Sequence, residues 1–269
     1  MSDFISFRET PIHFRTTGSG PWVVLLHGFL ESIEIWDEFA ARLEKEFSVL
    51  MVDLPGHGRS GVVDEVHTMD MMAESVLEIT DQLKIDTFTV CGHSMGGYVS
   101  LKIAETRAQQ VKGVVLFHSH AAPDDETAKE NRLRTINIVK QNRSNFIHQF
   151  IPDLFSDENR TLLKDEIEVL VNKAASTSGK SIVAALYGMM ERKGGLDFLM
   201  STNIPLLFVL GKNDSRMPYQ KLLAQAMLPA HAEILLLDNV AHMGFMEAPE
   251  KIFPVVRDFC KRSQERKDL

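Results

Sequence analysis

Residues 88–97 read Phe88-Thr89-Val90-Cys91-Gly92-His93-Ser94-Met95-Gly96-Gly97, and this stretch decides the fold. Phe88–Cys91 is a short β-prone run with no polar face, as expected of a strand covered on both sides. Tyr98–Thr106 then takes up helical spacing. Between them lies Gly92-His93-Ser94-Met95-Gly96, a Gly-x-Ser-x-Gly pattern. By composition alone that pattern arises by chance in on the order of one chain in ten of this length, so its placement has to carry the argument. A strand-to-helix turn is where a nucleophilic serine belongs: the sharp turn projects its hydroxyl from the sheet edge, and small neighbours let strand and helix meet. The helix N-terminus also aims backbone N–H groups at developing negative charge.

The same rhythm extends in both directions. Ile12–Thr16, Trp22–Leu26, Ser48–Val52 and Val114–Phe117 read as strands, with a turn at Gly18–Pro21 between the first two. Helices are expected over Ile35–Leu43, after Ser32 as N-cap, and over Met69–Leu83, where Met69, Met72, Val76, Ile79 and Leu83 form one stripe. After Phe117 the strands stop. Residues 122–199 carry only helical spacing, as in Leu163, Ile167, Leu170 and Val171, or Ile182, Leu186 and Met189. Strands resume at Pro205–Leu210 and Glu233–Leu237, and a helix over Pro249–Lys261 closes the chain. The expected architecture is α/β: a doubly wound, mostly parallel sheet built from residues 1–121 and 200–269, with residues 122–199 inserted as a helical cap.

Composition bounds the function. At 269 residues, 44% hydrophobic and 25% charged, the chain can bury one large core without staples. Its 29 basic and 37 acidic residues give a net charge of −8, which argues against nucleic acid or anionic membrane surfaces as partners. No apolar run reaches the roughly 18 residues of a membrane span, and the N-terminal residues lack the pattern of a secretory signal. Cys91 and Cys260 are too few for a disulfide framework or a zinc site, and read as core residues of a reduced, cytoplasmic protein. There is no phosphate-binding Gly-x-x-x-x-Gly-Lys loop and no His-Glu-x-x-His, so neither cofactor nor metal is expected. Oligomeric state is not legible.

Four stretches together carry a family resemblance: His27-Gly28-Phe29, Asp53-Leu54-Pro55-Gly56-His57-Gly58-Arg59-Ser60, Gly92–Gly97, and Ala241-His242-Met243-Gly244-Phe245-Met246-Glu247. In these the chain resembles the α/β-hydrolase-fold serine hydrolases over essentially its full length. The resemblance implies Ser94 as nucleophile and His242, in the loop after the last strand, as its base. Asp214, at the end of the strand before, is expected to orient that base, in the Ser, Asp, His order of the fold. Asp124 and Asp125 remain rivals for the acid, while Asp238 belongs to the last strand, too far from the histidine's ring. The resemblance further implies the backbone amides of Phe29 and Met95 as oxyanion donors. His93 should point away from Ser94. His27, His57 and Asp53 are expected to brace loops, while His118 and His120 sit where a pocket could form.

The implied chemistry is acyl transfer through Ser94, with a small or medium acyl ester as substrate. Two alternatives use or keep the same residues. One is a carbon–carbon bond hydrolase or lyase, as among meta-cleavage-product hydrolases and a menaquinone-pathway synthase. The other is a ligand-binding protein retaining a silent triad. Candidate pocket residues are His120 and, from the insertion, Phe146, Phe150, Met189 and Met190; Arg132, Arg134 and Arg192 could meet a substrate carboxylate.

Overall fold

The computed structural model describes residues 2–266; Met1 and residues 267–269, the outermost positions of the expected core segments, lie outside them. Among the described residues, eight strands form one sheet in the order β1-β2-β4-β3-β5-β6-β7-β8. They are β1 (Ser2–Phe7), β2 (Thr10–Gly18), β3 (Trp22–Leu26), β4 (Ser48–Val52), β5 (Phe88–His93), β6 (Val111–Phe117), β7 (Leu206–Gly211) and β8 (Ala232–Leu237). β1 pairs antiparallel with β2, and β2 with β4; every later pairing is parallel. The mostly parallel α/β sheet expected from the strand rhythm is therefore present.

Helices α1 (Asp37–Leu43), α2 (Met69–Gln82) and α3 (Met95–Thr106) alternate with the early strands. Between β6 and β7 come α4 (Glu126–Phe150), α5 (Asp157–Leu162), α6 (Lys164–Ala174), α7 (Gly179–Glu191) and α8 (Leu196–Ser201), with no strand among them. The chain closes with α9 (Tyr219–Ala226), the one-turn α10 (Gly244–Glu247) and α11 (Pro249–Glu265). β3, β4, β5 and β7 are buried along nearly their whole length because helices cover both faces of the sheet, which is why their sequences show no alternation. Trp36, Phe39, Phe117 and Phe245 pack ring against ring beside it, with Trp36 and Phe245 centroids 4.6 Å apart. Cys91 and Cys260 are buried and free.

Several expectations need correction. The strand expected at Ile12–Thr16 is longer, and β1 precedes it unannounced. Their hairpin turns at Arg8 and Glu9, both at positive φ (48° and 65°), a conformation usually signalled by Asn or Gly. Ser32 does not cap the following helix with its side chain; a single 3-10 turn, Ile33–Trp36, intervenes before α1. The helix expected from Tyr98 starts three residues earlier, directly after Ser94.

β3 and β5 are neighbours, yet the chain leaves β3 toward β4 on one side and β5 toward β6 on the other. Such a switch opens a crevice at the carboxyl ends of the parallel strands, where open α/β sheets bind ligands. The loops after β3, β5, β6, β7 and β8 all reach that edge.

Candidate active site

Ser94 closes β5 and opens α3 with φ 50° and ψ −112°, a conformation that a side chain rarely adopts. Neighbouring loops hold it there: its N–H donates to Phe117 O at 2.9 Å, and Ser119 Oγ donates to its carbonyl at 2.7 Å. The flanking glycines are needed for close approach. A Cβ on Gly92 would lie 2.2 Å from Gly96 O, and one on Gly96 2.5 Å from Leu26 O. Met95 is the first residue of α3, so its N–H stands outside the helical ladder. Among the described residues neither it nor the Phe29 N–H donates to a protein acceptor, leaving both expected oxyanion donors available.

Asp214 follows β7 and is almost fully buried. One carboxylate oxygen, Oδ1, accepts the backbone N–H groups of Arg216 and Met217, both at 2.9 Å. The other, Oδ2, meets His242 Nδ1 at 2.8 Å and His118 Nδ1 at 3.2 Å. Burial alone would raise its pKa. Attraction to His242 and hydrogen bonds from His118 and His242 outweigh burial and hold the carboxyl well below the usual range. Asp214 is ionised, and both histidines present Nδ1–H to it. His118, Asp214 and His242 also have metal-ligand spacing, their ligand atoms lying within 4.8 Å of one another. Two ring nitrogens at hydrogen-bond distance from a single oxygen are equally the geometry of one carboxylate shared by two histidines.

The rival acids are otherwise engaged. Asp124 pairs with Arg132 and, at 2.6 Å, with Arg192. Asp125 caps α4 by accepting the Ala128 N–H at 2.8 Å. Asp238 is exposed and pairs with Lys212 at 2.6 Å. Arg132 and Arg192 are thus committed to Asp124, and Arg134 is exposed beside Asn131.

The loop carrying His242 is tied at several points. Its own N–H donates to Leu154 O at 2.9 Å, across to the inserted segment. Glu247 Oε1 accepts the N–H groups of Ala241 (3.0 Å) and Met243 (3.2 Å), and Oε2 accepts from Ser156 N–H (3.1 Å) and Asn159 Nδ2 (2.8 Å). One carboxylate therefore joins the histidine loop to the start of α5.

His27, His57 and Asp53 brace loops. His27 donates through Nδ1 to Gly28 O (2.8 Å) and accepts Leu54 N–H at Nε2 (2.9 Å). Asp53 accepts from Ile33 N–H (2.8 Å), Arg59 N–H (2.9 Å) and His13 Nδ1 (2.7 Å). His57 sits beside His27 with ring centroids 5.3 Å apart, and burial pushes its pKa down to about 3.

Sequence reasoning gave no role to Glu31 and His93. Both are buried, and His93 Nδ1 meets Glu31 Oε2 at 2.9 Å while His93 Nε2 meets His242 O at 2.9 Å. Nothing local in the sequence marks this pair, because its partners stand 62 residues apart.

The expected pocket residues separate into two places. Phe150 packs edge-on against Phe29 (5.7 Å between centroids), with Phe146 behind it at 5.2 Å. His120 accepts Ala122 N–H and reaches Tyr98 Oη at 3.3 Å, in a crevice also lined by Leu101, Arg192 and Phe198. Met189 is buried, its carbonyl accepting from Arg192 at 2.6 Å, and Met190 is half-buried.

Over 246 residues the chain is 29% identical to a dihydrolipoyllysine-residue acetyltransferase component of an acetoin cleaving system from Pseudomonas putida, covering 90% of this chain and 64% of that one, so it spans somewhat under two thirds of that relative. It is 27% identical over 257 residues to a pimeloyl-[acyl-carrier protein] methyl ester esterase from Pseudoalteromonas atlantica, covering 90% and 95% of the two chains. Among solved structures, a thermophilic esterase from Thermogutta terrifontis superposes with a TM-score of 0.91 at 28% identity, covering 98% and 99%. The family model for the alpha/beta hydrolase fold matches residues 21–249, and the chain belongs to this family of hydrolases.

Proposed function

We propose that the chain hydrolyses carboxylic esters of small or medium acyl groups through an acyl-enzyme on Ser94. The observation that carries the reading is the buried Asp214–His242 pair, 2.8 Å apart, in loops at the same sheet edge as the strained turn of Ser94. His93, which precedes Ser94, places its ring centroid 4.9 Å from that of His242. An esterase name for a relative of matching length and for a solved neighbour supports an ester as the bond cleaved.

In this reading His242 Nε2 takes the proton of Ser94 Oγ as the oxygen attacks the acyl carbonyl. Charge on the carbonyl oxygen is met by the N–H groups of Phe29 and Met95, while ionised Asp214 stabilises the imidazolium through its Nδ1–H. The proton passes from Nε2 to the departing alcohol. Water then attacks the acyl-enzyme, giving its proton to His242, and the carboxylic acid leaves as Oγ recovers a proton. Residues 122–199 serve as the cap: α4 brings Phe146 and Phe150 beside the oxyanion residue Phe29, where an acyl chain would lie against them. Hydrolysis of p-nitrophenyl acetate and labelling by a fluorophosphonate probe test the proposal. Wild type should do both and Ser94→Ala neither; a fully active Ser94→Ala protein would sink it.

A further inference from the structure

We propose that Glu31 and His93 are positioning residues: a buried carboxylate–imidazolium pair that locks the oxyanion loop and the His242 loop into one register. The proposal rests on the reading of His242 as base and of Phe29 as oxyanion donor.

Counting protons makes the first step. The acceptor facing His93 Nε2 is a carbonyl, His242 O, so Nε2 must carry a hydrogen. The acceptor facing Nδ1 is Glu31 Oε2, which at the same time takes the Gly28 N–H at 2.5 Å. An oxygen already receiving one N–H is suited to a carboxylate receiving a second, so Nδ1 carries a hydrogen as well. Two donating ring nitrogens make His93 an imidazolium. Burial opposes that charge, yet attraction to Glu31 and the hydrogen bonds to Glu31 and His242 O raise the His93 pKa above its ordinary value, and they lower that of Glu31. The other ionisable groups facing His93 are His27, His118, His242 and Asp214; among them Asp214 favours its charge, while His27 and His118 oppose it.

The line of contacts runs Gly28 N–H, Glu31 carboxylate, His93 imidazolium, His242 carbonyl. Its ends are the residue before Phe29 and the backbone of the base. These two loops leave different strands, β3 and β8, which are not neighbours in the sheet. Strand pairing therefore does not set their separation, whereas a pair of charge-assisted hydrogen bonds can. The loss of a few tenths of an ångström in such a register is felt in the chemical step more than in binding.

Glu31→Gln is a close-fitting variant that cannot serve all the contacts. If its oxygen takes the place of Oε2, His93 loses its counter-charge; if its NH2 does, it opposes the Gly28 N–H. Activity on p-nitrophenyl acetate from pH 5 to 10 should show kcat reduced at least tenfold in Glu31→Gln with KM within twofold of wild type. The wild-type kcat should decline again on the alkaline side, as His93 loses its proton, and that limb should be absent in Glu31→Gln. Nitrogen-15 NMR of the imidazoles should find both His93 nitrogens protonated at pH 7.5 in wild type and in Ser94→Ala, but only one in Glu31→Gln. His93→Gln, whose amide can still donate to His242 O, provides a second variant should the first fold poorly. A neutral His93 in wild type, or a Glu31→Gln kcat within twofold of wild type, overturns the proposal. Failure of wild type to hydrolyse esters or label would instead count against the Ser94 reading, and the NMR result would still decide the state of the pair.

Discussion

Ser94, the proposed nucleophile, shows most clearly how a residue that the chemistry asks for can be opposed by the backbone. Its positive φ of 50° is the left-handed side of conformational space, where a non-glycine residue costs about 1–3 kcal/mol. Glycine tolerates that conformation without a Cβ penalty. Ser94→Gly should therefore unfold at higher urea than Ser94→Ala, by about 1 kcal/mol, although both lack the proposed nucleophile. Equal stability would mean that the turn is not strained. Gly-x-Ser-x-Gly was legible in the sequence because the constraint is local: glycines on either side of one sharp turn. Glu31 was not, since a carboxylate in a loop becomes a partner of His93 only after β3 and β5 have paired.

At the level of elements, the histidine loop is held by contacts that belong to three segments. Glu247 on α10 receives donors from the His242 loop and from the start of α5, and Leu154 receives the His242 N–H. Glu247→Gln places an NH2 where N–H donors point and should destabilise the protein by about 1.5–3 kcal/mol, the range for hydrogen bonds to a charged group. Because the inserted helical segment and the proposed base share this anchor, kcat should fall as well. Chemical denaturation and p-nitrophenyl acetate kinetics measure the two effects; a loss of stability with unchanged kcat would separate the anchor from the proposed base. Glu247 lay within one of the motif stretches quoted for the family, but its tie to Ser156 and Asn159, about 90 residues earlier, follows from folding alone.

The whole molecule carries an unusual load of buried histidine. Burial pushes His57 and His120 down to about 3, and it also lowers His27, His67 and His118. An unfolded histidine takes up a proton near pH 6.5, so between that pH and about 3 the unfolded state binds more protons than the folded one. Stability should fall steadily as pH drops through this window. Replacing His57 by Asn should lessen the slope at pH 5 by about 1.4 kcal/mol per pH unit, measured by urea denaturation at several pH values. A flat profile from pH 7 to 4 would contradict it. Asp214, held below its ordinary value, adds its own loss only at lower pH.

What the sequence determined by itself were features whose cause lies within a few residues: apolar strands, helical stripes, the glycine-flanked serine turn, and the chain order of Ser94, Asp214 and His242. The β1–β2 hairpin escaped because Arg8 and Glu9 adopt a turn their side chains do not advertise. Tertiary structure alone decided which acid meets His242, that His118 shares it, that Arg132 and Arg192 are taken by Asp124, and that Glu31 and His93 stand between two loops. The physical reason is the same in each case. A hydrogen bond or ion pair between distant residues depends on which strands become neighbours, and strand order is set by packing of the entire sheet.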